Sequence, residues 1–429
     1  MFALSCDSRV SVGGRGPCGQ QWSQLRRSPA HASSQFRVKR QSGKLASLVI
    51  AAAALITTAA HAAVTYRITD LGPGTARGIN NVGQVLGSTA GELPRSYVFT
   101  PGSGMTLLPD GFIGGGGPDP VYSIGASSIN DFGFVAGSFT FPGMTQRHAA
   151  LFEPGIGLRD LGTLGGPASR ATGVNNAGQV TGEASLPPNS GFDVAHAFRY
   201  GGDTGMVDLG TLGEQAASSF GNAINSAGQV TGGSWQFLLN DTSDIHAFVQ
   251  SSSEAMLAIA SNQGPGAVSG AAINDAGQVT GTFQTRDFIL PFLYTPATGT
   301  VLLREPEWEF VSGSGHGLNA KGQVVGTVAH YAFLYSGNAF TNLNTLLDPA
   351  SAAGWSLDVA RDINDSGQIV GYGLRNGVQH AFLLTPVPEP ASWALMLGGL
   401  ALLGAAMRRR PASSVLGGTS DPKERLVAQ

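Results

Sequence analysis

The chain of 429 residues holds 62 glycines, about twice the usual share of roughly 7%, and only 12% charged residues, about half the usual level. So little charge, with plentiful Val, Thr, Ile and Phe, excludes a bundle of long helices and points to an all-β body of short strands and tight turns. The formal net charge is −3, but between Ala63 and Glu389 there are 25 acids against 12 basic residues, Lys321 being the only lysine. A phosphate backbone needs a basic face, so nucleic acid is not an expected partner.

Residues 1–36 fit no export logic and read as an extension ahead of a true start near Val38, or as a disordered segment. Residues 37–62 follow as a secretory signal peptide. Arg37, Lys39, Arg40 and Lys44 make a basic front, Leu45 to Ala60 an apolar run, and Ala60-His61-Ala62 a cleavage triplet. Export through the Sec translocon and cleavage after Ala62 are expected. Cys6 and Cys18 both lie before residue 37, so the mature chain is expected to have no disulfide, no thiolate metal site and no cysteine nucleophile.

The body, 63–385, repeats itself. "AINDAGQVTG" at Asn274 recurs as "GINNVGQVLG" at Asn80, "SINDFGFVAG" at Asn130, "GVNNAGQVTG" at Asn175, "AINSAGQVTG" at Asn225, "GLNAKGQVVG" at Asn319 and "DINDSGQIVG" at Asn364. Spacing of 45–50 residues marks a repeat architecture. Asn at the first position of a type I turn can accept from the backbone two residues on. The glycine three residues later (Gly83, Gly133, Gly178, Gly228, Gly277, Gly322, Gly367) takes the left-handed conformation that starts the return strand. The second glycine of each copy, such as Gly281, either ends that strand or lets a neighbouring backbone approach. "DLG" phrases at Asp70, Asp160 and Asp208 stand ahead of turns, and aromatic strands such as "HAFRY" at His196 stand after them. Each unit thus has about four short strands. A seven-bladed β-propeller-like ring fits this best and leaves no large exposed edge. An elongated β-solenoid is the rival, with coils usually nearer 20–30 residues.

The pairing of His-Ala-Phe strands (His196, His246, His380) with Ile-Asn-x-x-Gly-Gln-Val-x-Gly turns resembles the HAF-repeat family of bacterial extracellular proteins, over roughly Tyr66 to Thr385. Arg95 and Leu290 replace the histidine in two copies, and His330 sits one residue early. The resemblance implies secretion and repetition and no known reaction.

Chemistry-bearing motifs are few. Histidines repeated once per unit are spread round a ring, whereas a metal needs several ligands about one point; a histidine bonded to backbone at a strand start explains the repetition better. Asp362, Asn364 and Ser366 resemble the opening of a calcium loop, but no bidentate Glu follows, and they remain weak metal candidates. "REPEWEF" sets Glu305, Glu307 and Glu309 on one face of an extended segment and Trp308 and Phe310 on the other. Glu307 and Glu309 are the weak catalytic candidates for glycan cleavage, an exposed loop being the competing reading. Trp235, Trp308 and Trp355 are candidate sugar-stacking platforms, with a place in the core as the alternative. No nucleotide, lipase, zinc-protease or phosphate-loop signature is present, and no cofactor is implied.

Residues 386–410 close the exported part. Val387-Pro388-Glu389-Pro390 precedes an apolar run from 391 to 407, at the lower limit for a single transmembrane helix, and Arg408, Arg409 and Arg410 hold its end on the cytoplasmic side. This resembles a PEP-CTERM sorting signal. The resemblance implies transient anchoring in the inner membrane, cleavage near Pro-Glu-Pro by an exosortase, and release or attachment outside the cell. A polar tail, 411–429, follows. The expected function is a non-enzymatic surface or matrix component with extracellular polysaccharide as candidate partner. A secreted propeller hydrolase or lyase acting on glycans is the alternative.

Overall fold

A computed structural model of the protein describes residues 64–109, 125–188, 194–213, 216–237, 243–251, 254–260, 266–304, 312–387 and 398–402. The chain divides into two units, Met1–Ala62 and Ala63–Gln429, and every described residue belongs to the second. The expected signal peptide with Ala60 and Ala62, the acids Glu307 and Glu309, Trp308, Pro388 to Pro390, and Arg408 to Arg410 lie outside the described residues.

The described body is all-β, with 27 strands in five four-stranded sheets and one seven-stranded sheet. Ser169–Val174, Val180–Ser185, Ala195–Gly201 and Gly205–Asp208 form a representative sheet, each strand pairing antiparallel with the next. The Asn turn joins the first strand to the second. In all seven copies the glycine amide donates to the Asn carbonyl and the Asn amide to the carbonyl four residues on, as from Gly277 to Asn274 at 3.0 Å and from Asn274 to Gln278 at 3.1 Å. The seven turn glycines have φ between +71° and +85°, the left-handed region in which a Cβ is costly.

The "DLG" phrases at Asp160 and Asp208 end the outermost strand of the sheet before them, not the first strand of their own unit. Gly157–Asp160 pairs with His148–Glu153, and Gly205–Asp208 with Ala195–Gly201. The phrase at Asp70 has no earlier sheet to join. It lies on the 15-residue strand Thr65–Ile79, whose register shifts between Asp70 and Pro73. The first part pairs with Val378–Val387 and the second with Val85–Thr89. The seven-stranded sheet is therefore two four-strand meanders, from the two ends of the body, sharing one strand. That pairing runs as far as Thr65 with Val387 and Tyr66 with Pro386, so the last strand continues two residues into the sorting segment. The first and last copies of the turn touch, since the Asn364 side chain donates to the Asn80 carbonyl at 3.0 Å. This contact excludes a rod with its ends apart.

The apolar cores lie between successive sheets. One joins Ala149 and Leu151 to Ala171, Val174 and Phe198; another joins Leu71, Ala76 and Val85 to Val370, Ala381 and Leu383. The aromatic of the "HAF" strand fills these cores: Phe198, Phe248, Phe292, Phe333 and Phe382 are fully buried. Residues 398–402 are helical. Among the described residues no helix is long and apolar enough to cross a membrane, and most of the 391–407 run lies outside them.

Two glycines of one repeat separate conformation from space. Gly277 has φ +71°, so Gly277→Ala should cost about 1–2 kcal/mol through backbone strain. Gly281 sits inside the strand Val279–Gln284, where an added Cβ would run into the Ser269 carbonyl oxygen. The second glycine thus permits close backbone approach and does not end the strand. Urea unfolding of the two alanine variants should show the larger loss for Gly281→Ala; the reverse order would refute the close-approach account.

Candidate functional site

The seven turns meet about one axis, and their asparagines form a closed circuit. Each Asn Nδ2 donates to the backbone carbonyl of the next Asn: Asn80 to Asn130 at 2.8 Å, Asn130 to Asn175 at 3.0 Å, Asn175 to Asn225 at 2.8 Å, Asn225 to Asn274 at 3.0 Å, Asn274 to Asn319 at 3.0 Å, Asn319 to Asn364 at 3.2 Å, and Asn364 back to Asn80. In six copies the other Nδ2 hydrogen goes to the Gln of the same turn, as from Asn225 to Gln229 Oε1 at 2.8 Å. The second copy has Phe134 in that place. Each Oδ1 accepts from a backbone amide of its own turn, Gln229 N at 2.9 Å in the same example. All seven asparagines are buried, and a buried carboxamide needs partners of this kind.

One residue further, toward solvent, a second and incomplete circuit forms. The Asn81 amide donates to Asp131 Oδ1 at 2.7 Å, Asp131 to Asn176 at 2.9 Å, Ser226 to Asp275 at 2.9 Å, Ala320 to Asp365 at 2.8 Å, and Asp365 to Asn81 at 3.0 Å. It is interrupted where Ser226 and Ala320 offer no carboxylate or carboxamide to the preceding turn. These residues, the asparagines and the apolar residue before each of them line an axial cavity of about 230 Å³. Its mouth carries backbone amides and three aspartates, Asp131, Asp275 and Asp365.

Asp362 also lines this cavity. Its carboxylate accepts from the amides of Ile79 and Ile363, both at 2.9 Å, and so ties the last sheet to the first. Burial outweighs these bonds and pushes its pKa up to about 6. The carboxylate and the Asn364 carboxamide are both engaged with the protein. Among the described residues no group of three or more His, Cys, Asp and Glu is placed to hold a metal ion.

A second set of positions on the innermost strands was missed by pattern reading. Every innermost strand carries a β-bulge three residues before its Asn, and the extra residues are Arg77, Ser127, Thr172, Asn222, Ala271, His316 and Arg361. A bulge re-aims a side chain out of the ladder. Thr172 donates to the next sheet's Gly221 carbonyl at 2.7 Å and Asn222 to Gly270 at 2.7 Å, while His316 Nδ1 bonds the Ala360 carbonyl at 2.9 Å. Burial, with Arg361 beside it, pulls His316 down to about 4, so the ring is neutral at neutral pH. Alternation between faces breaks at a bulge, and the residue type changes from copy to copy; only the repeat alignment itself could have flagged this position.

The repeated histidines bond a side chain, not backbone as expected. His148 Nδ1 meets Asp160 at 3.0 Å, His196 meets Asp208 at 2.9 Å and His380 meets Asp70 at 2.8 Å. Each Asp is that of a "DLG" phrase and also accepts from the glycine amide two residues on. Burial pulls the Asp208 carboxyl up, but its bonds from His196 and Gly210 prevail and hold it below its ordinary value. The pair staples the outermost strand to its neighbour. In the fourth copy the outer strand Leu257–Ala260 has no Asp. Trp235 stands on the second strand of its sheet, 36% exposed. Trp355 is half-buried, edge-on to Phe382 and beneath the Arg375 guanidinium. Neither lines the axial cavity.

Residues 386–410 match the PEP-CTERM protein-sorting motif, the mark of an exported protein processed by an exosortase. Among curated proteins, none matches the chain. It is similar to a gluconolactonase from Xanthomonas campestris, at 8% identity, covering 77% of this chain and 93% of that one with a TM-score of 0.40. The β-propeller domain of the trilobed protease from Pyrococcus furiosus gives 10% identity, 64% and 82% coverage and a TM-score of 0.42. Trypanosoma rangeli sialidase gives 10% identity, 81% and 57% coverage and a TM-score of 0.32. Likeness at this level carries no argument about activity.

Two substitutions test the axis. Asn225→Asp keeps Oδ1 but removes both donors and sets a buried charge against the Gln229 and Asn274 oxygens. It should cost at least the roughly 1–3 kcal/mol of an unsatisfied buried group, and an unchanged urea midpoint would refute the circuit's importance. For Asp362 the folded pKa lies above the unfolded value of about 3.9, so the folded state holds the proton longer. Below pH ~4 the group carries no penalty; stability falls as pH rises through about 6 and stays lower beyond it. Asp362→Asn leaves one of the two amides without its acceptor at every pH, but relative to the native protein it should be on the order of 1–2 kcal/mol more favourable at pH 7.5 than near pH 4. Equal effects at both would show that ionisation is not the cause.

Proposed function

We propose that this protein is an exported, exosortase-processed component of the bacterial surface or extracellular matrix, and that its body is a seven-bladed propeller-like ring of HAF repeats that binds polysaccharide without cleaving it. In this reading the Sec translocon delivers the chain, the 391–407 helix holds it transiently in the inner membrane, and cleavage near Glu389 frees the body. The carrying observation is the axial mouth. Seven interlocked turns hold a fixed concave ring of backbone and side-chain polar groups around a cavity of about 230 Å³. Preformed hydrogen-bonding groups of this kind suit sugar hydroxyls. Asp131, Asp275 and Asp365 at the rim favour neutral over acidic glycans, in keeping with the excess of acids over bases in the mature body. Sorting outside the cell places such a surface where polysaccharide is found. Each rim aspartate accepts from a neighbouring backbone amide, which fixes its carboxylate at the mouth.

The test uses the secreted form, with its ends near Ala63 and Glu389 verified by mass spectrometry. It is applied to a glycan array with a parallel assay for released reducing ends. Binding to neutral glycans without release, weakened about tenfold by Asp275→Ala as expected for one charged hydrogen bond, is the expected result. Release of reducing ends, or binding indifferent to Asp275→Ala, would overturn the reading.

A further inference from the structure

The last strand and the sorting motif overlap. The motif begins at Pro386, yet the strand Val378–Val387 runs on to pair Pro386 with Tyr66 and Val387 with Thr65. Within that strand the character changes at Leu384. Ala381, Phe382, Leu383 and Leu384 are sealed in the core and pair on the other edge with the strand Ile369–Arg375. That second pairing stops at Leu384. Thr385, Pro386 and Val387 are half-buried and pair, among the described residues, with Arg67, Tyr66 and Thr65 alone. Pro386 also brings no amide hydrogen to the ladder.

The two sides of this seam are not equally held. Tyr66 is buried in one core with Leu347 and Leu384, and its carbonyl accepts from the Asp348 amide at 2.7 Å. Departure of residues 385–387 would leave those contacts in place. The tail is therefore the side that can leave, by a local opening far smaller than unfolding of the body. Reach gives it a reason to do so. Only Pro388, Glu389 and Pro390 stand between Val387 and the apolar run that starts at Ala391. Fully extended, the steps from Val387 to Ala391 span about 14 Å, and the headgroup region takes up roughly 5–7 Å of that. A membrane peptidase cutting in this stretch would have to work between the bilayer and the folded body, with its substrate held in a sheet on the upstream side. Peeling residues 385–387 adds about 10 Å and frees backbone of the extended kind that a binding cleft takes up by strand addition.

We propose that residues 65–67 restrain the start of the sorting motif, so that the exosortase cuts only chains whose residues 385–387 have peeled away, and this opening sets the rate of release. The inference rests on the exosortase processing proposed above and is independent of glycan binding at the mouth.

Pulse-chase of the full-length chain in a bacterium that carries an exosortase, scored for anchored and released forms, tests it. Arg67→Cys with Thr385→Cys joins a directly paired couple outside the motif. Paired strands place such Cα atoms about 4.5–5.5 Å apart, within disulfide range, and the chain has no cysteine after Cys18. The crosslinked chain should be released at least about fivefold more slowly than the same chain kept reduced, because opening at Thr385 is lost. Inserting Gly-Ser-Gly-Ser between Thr385 and Pro386 leaves the motif intact; it should quicken release and abolish the effect of the crosslink. In the unmodified body, amides bonded across this seam should exchange hydrogen through an opening insensitive to low urea, well before those of Phe382 and Leu384. That measurement stands even if a variant does not fold. Equal release of crosslinked and reduced chains, a crosslink effect that survives the insertion, or seam amides as protected as the core would overturn the inference alone. Retention of every form in the membrane, the unmodified one included, would refute exosortase processing and this inference with it.

Discussion

The structure depends on what one carboxamide can do that no other side chain can. An asparagine offers one acceptor and two donors on a short stem. In six of the seven copies all are used: the oxygen shapes its own turn, one hydrogen fixes the Gln of that turn, and the other reaches the next copy. Aspartate would shape the turn but could not reach across it, and serine would be too short to do both. The turn and the closure of the ring are therefore a single feature of the sequence. Glutamine is part of it, because its amide also packs against the next turn's glycine, as Gln229 does at Gly277. Where Phe134 replaces it, Asn130 keeps the contact to its neighbour and loses the brace.

The outer edge of each sheet is managed by a second device. A four-residue outer strand contributes few ladder bonds and exposes an edge. In three sheets His148, His196 and His380 clamp it through an Asp that also closes the following turn. At Asp70 the clamp is doubled by Arg375, at the one sheet whose strands come from opposite ends of the body. In each of these sheets the alanine after the histidine is fully buried, and in those of His196 and His380 so is the phenylalanine beyond it. The short His-Ala-Phe phrase thus spans the whole thickness from exposed clamp to sealed core.

Much of this was legible because glycine and asparagine repeat for backbone reasons that leave little choice of residue. The turn, its left-handed glycine, the strand count per unit and the sorting segment could be read directly. Assignment of the "DLG" phrase to its sheet could not, since a phrase midway between two turns belongs equally well to either by spacing alone. The orphaned Asp70 decides it only once the pairing with His380 is known. The bulge positions were hidden for a different reason. Arg77, Thr172 and His316 share no chemistry, and what they share is an extra residue in a ladder, which pattern matching reads as noise. The role of the second glycine was half visible, because close approach and strand ending leave the same mark in a sequence.

The strand Thr65–Ile79 has a kinetic consequence. Its first part completes a sheet whose other members are the last to be synthesised, and Asp70 reaches a partner 310 positions away. Until residues near Val387 have emerged, the final sheet lacks its rim and the asparagine circuit has a gap between Asn364 and Asn80. Contacts of such long sequence separation form slowly. Until Val378–Val387 pairs with Thr65–Ile79, a folding chain is an open arc with two unpaired edges that other chains could join. Its ends act as the two halves of one latch, and the molecule gains its full resistance to unfolding only when the latch shuts. Loss of a few residues at either end of the body would thus be felt around the entire circumference.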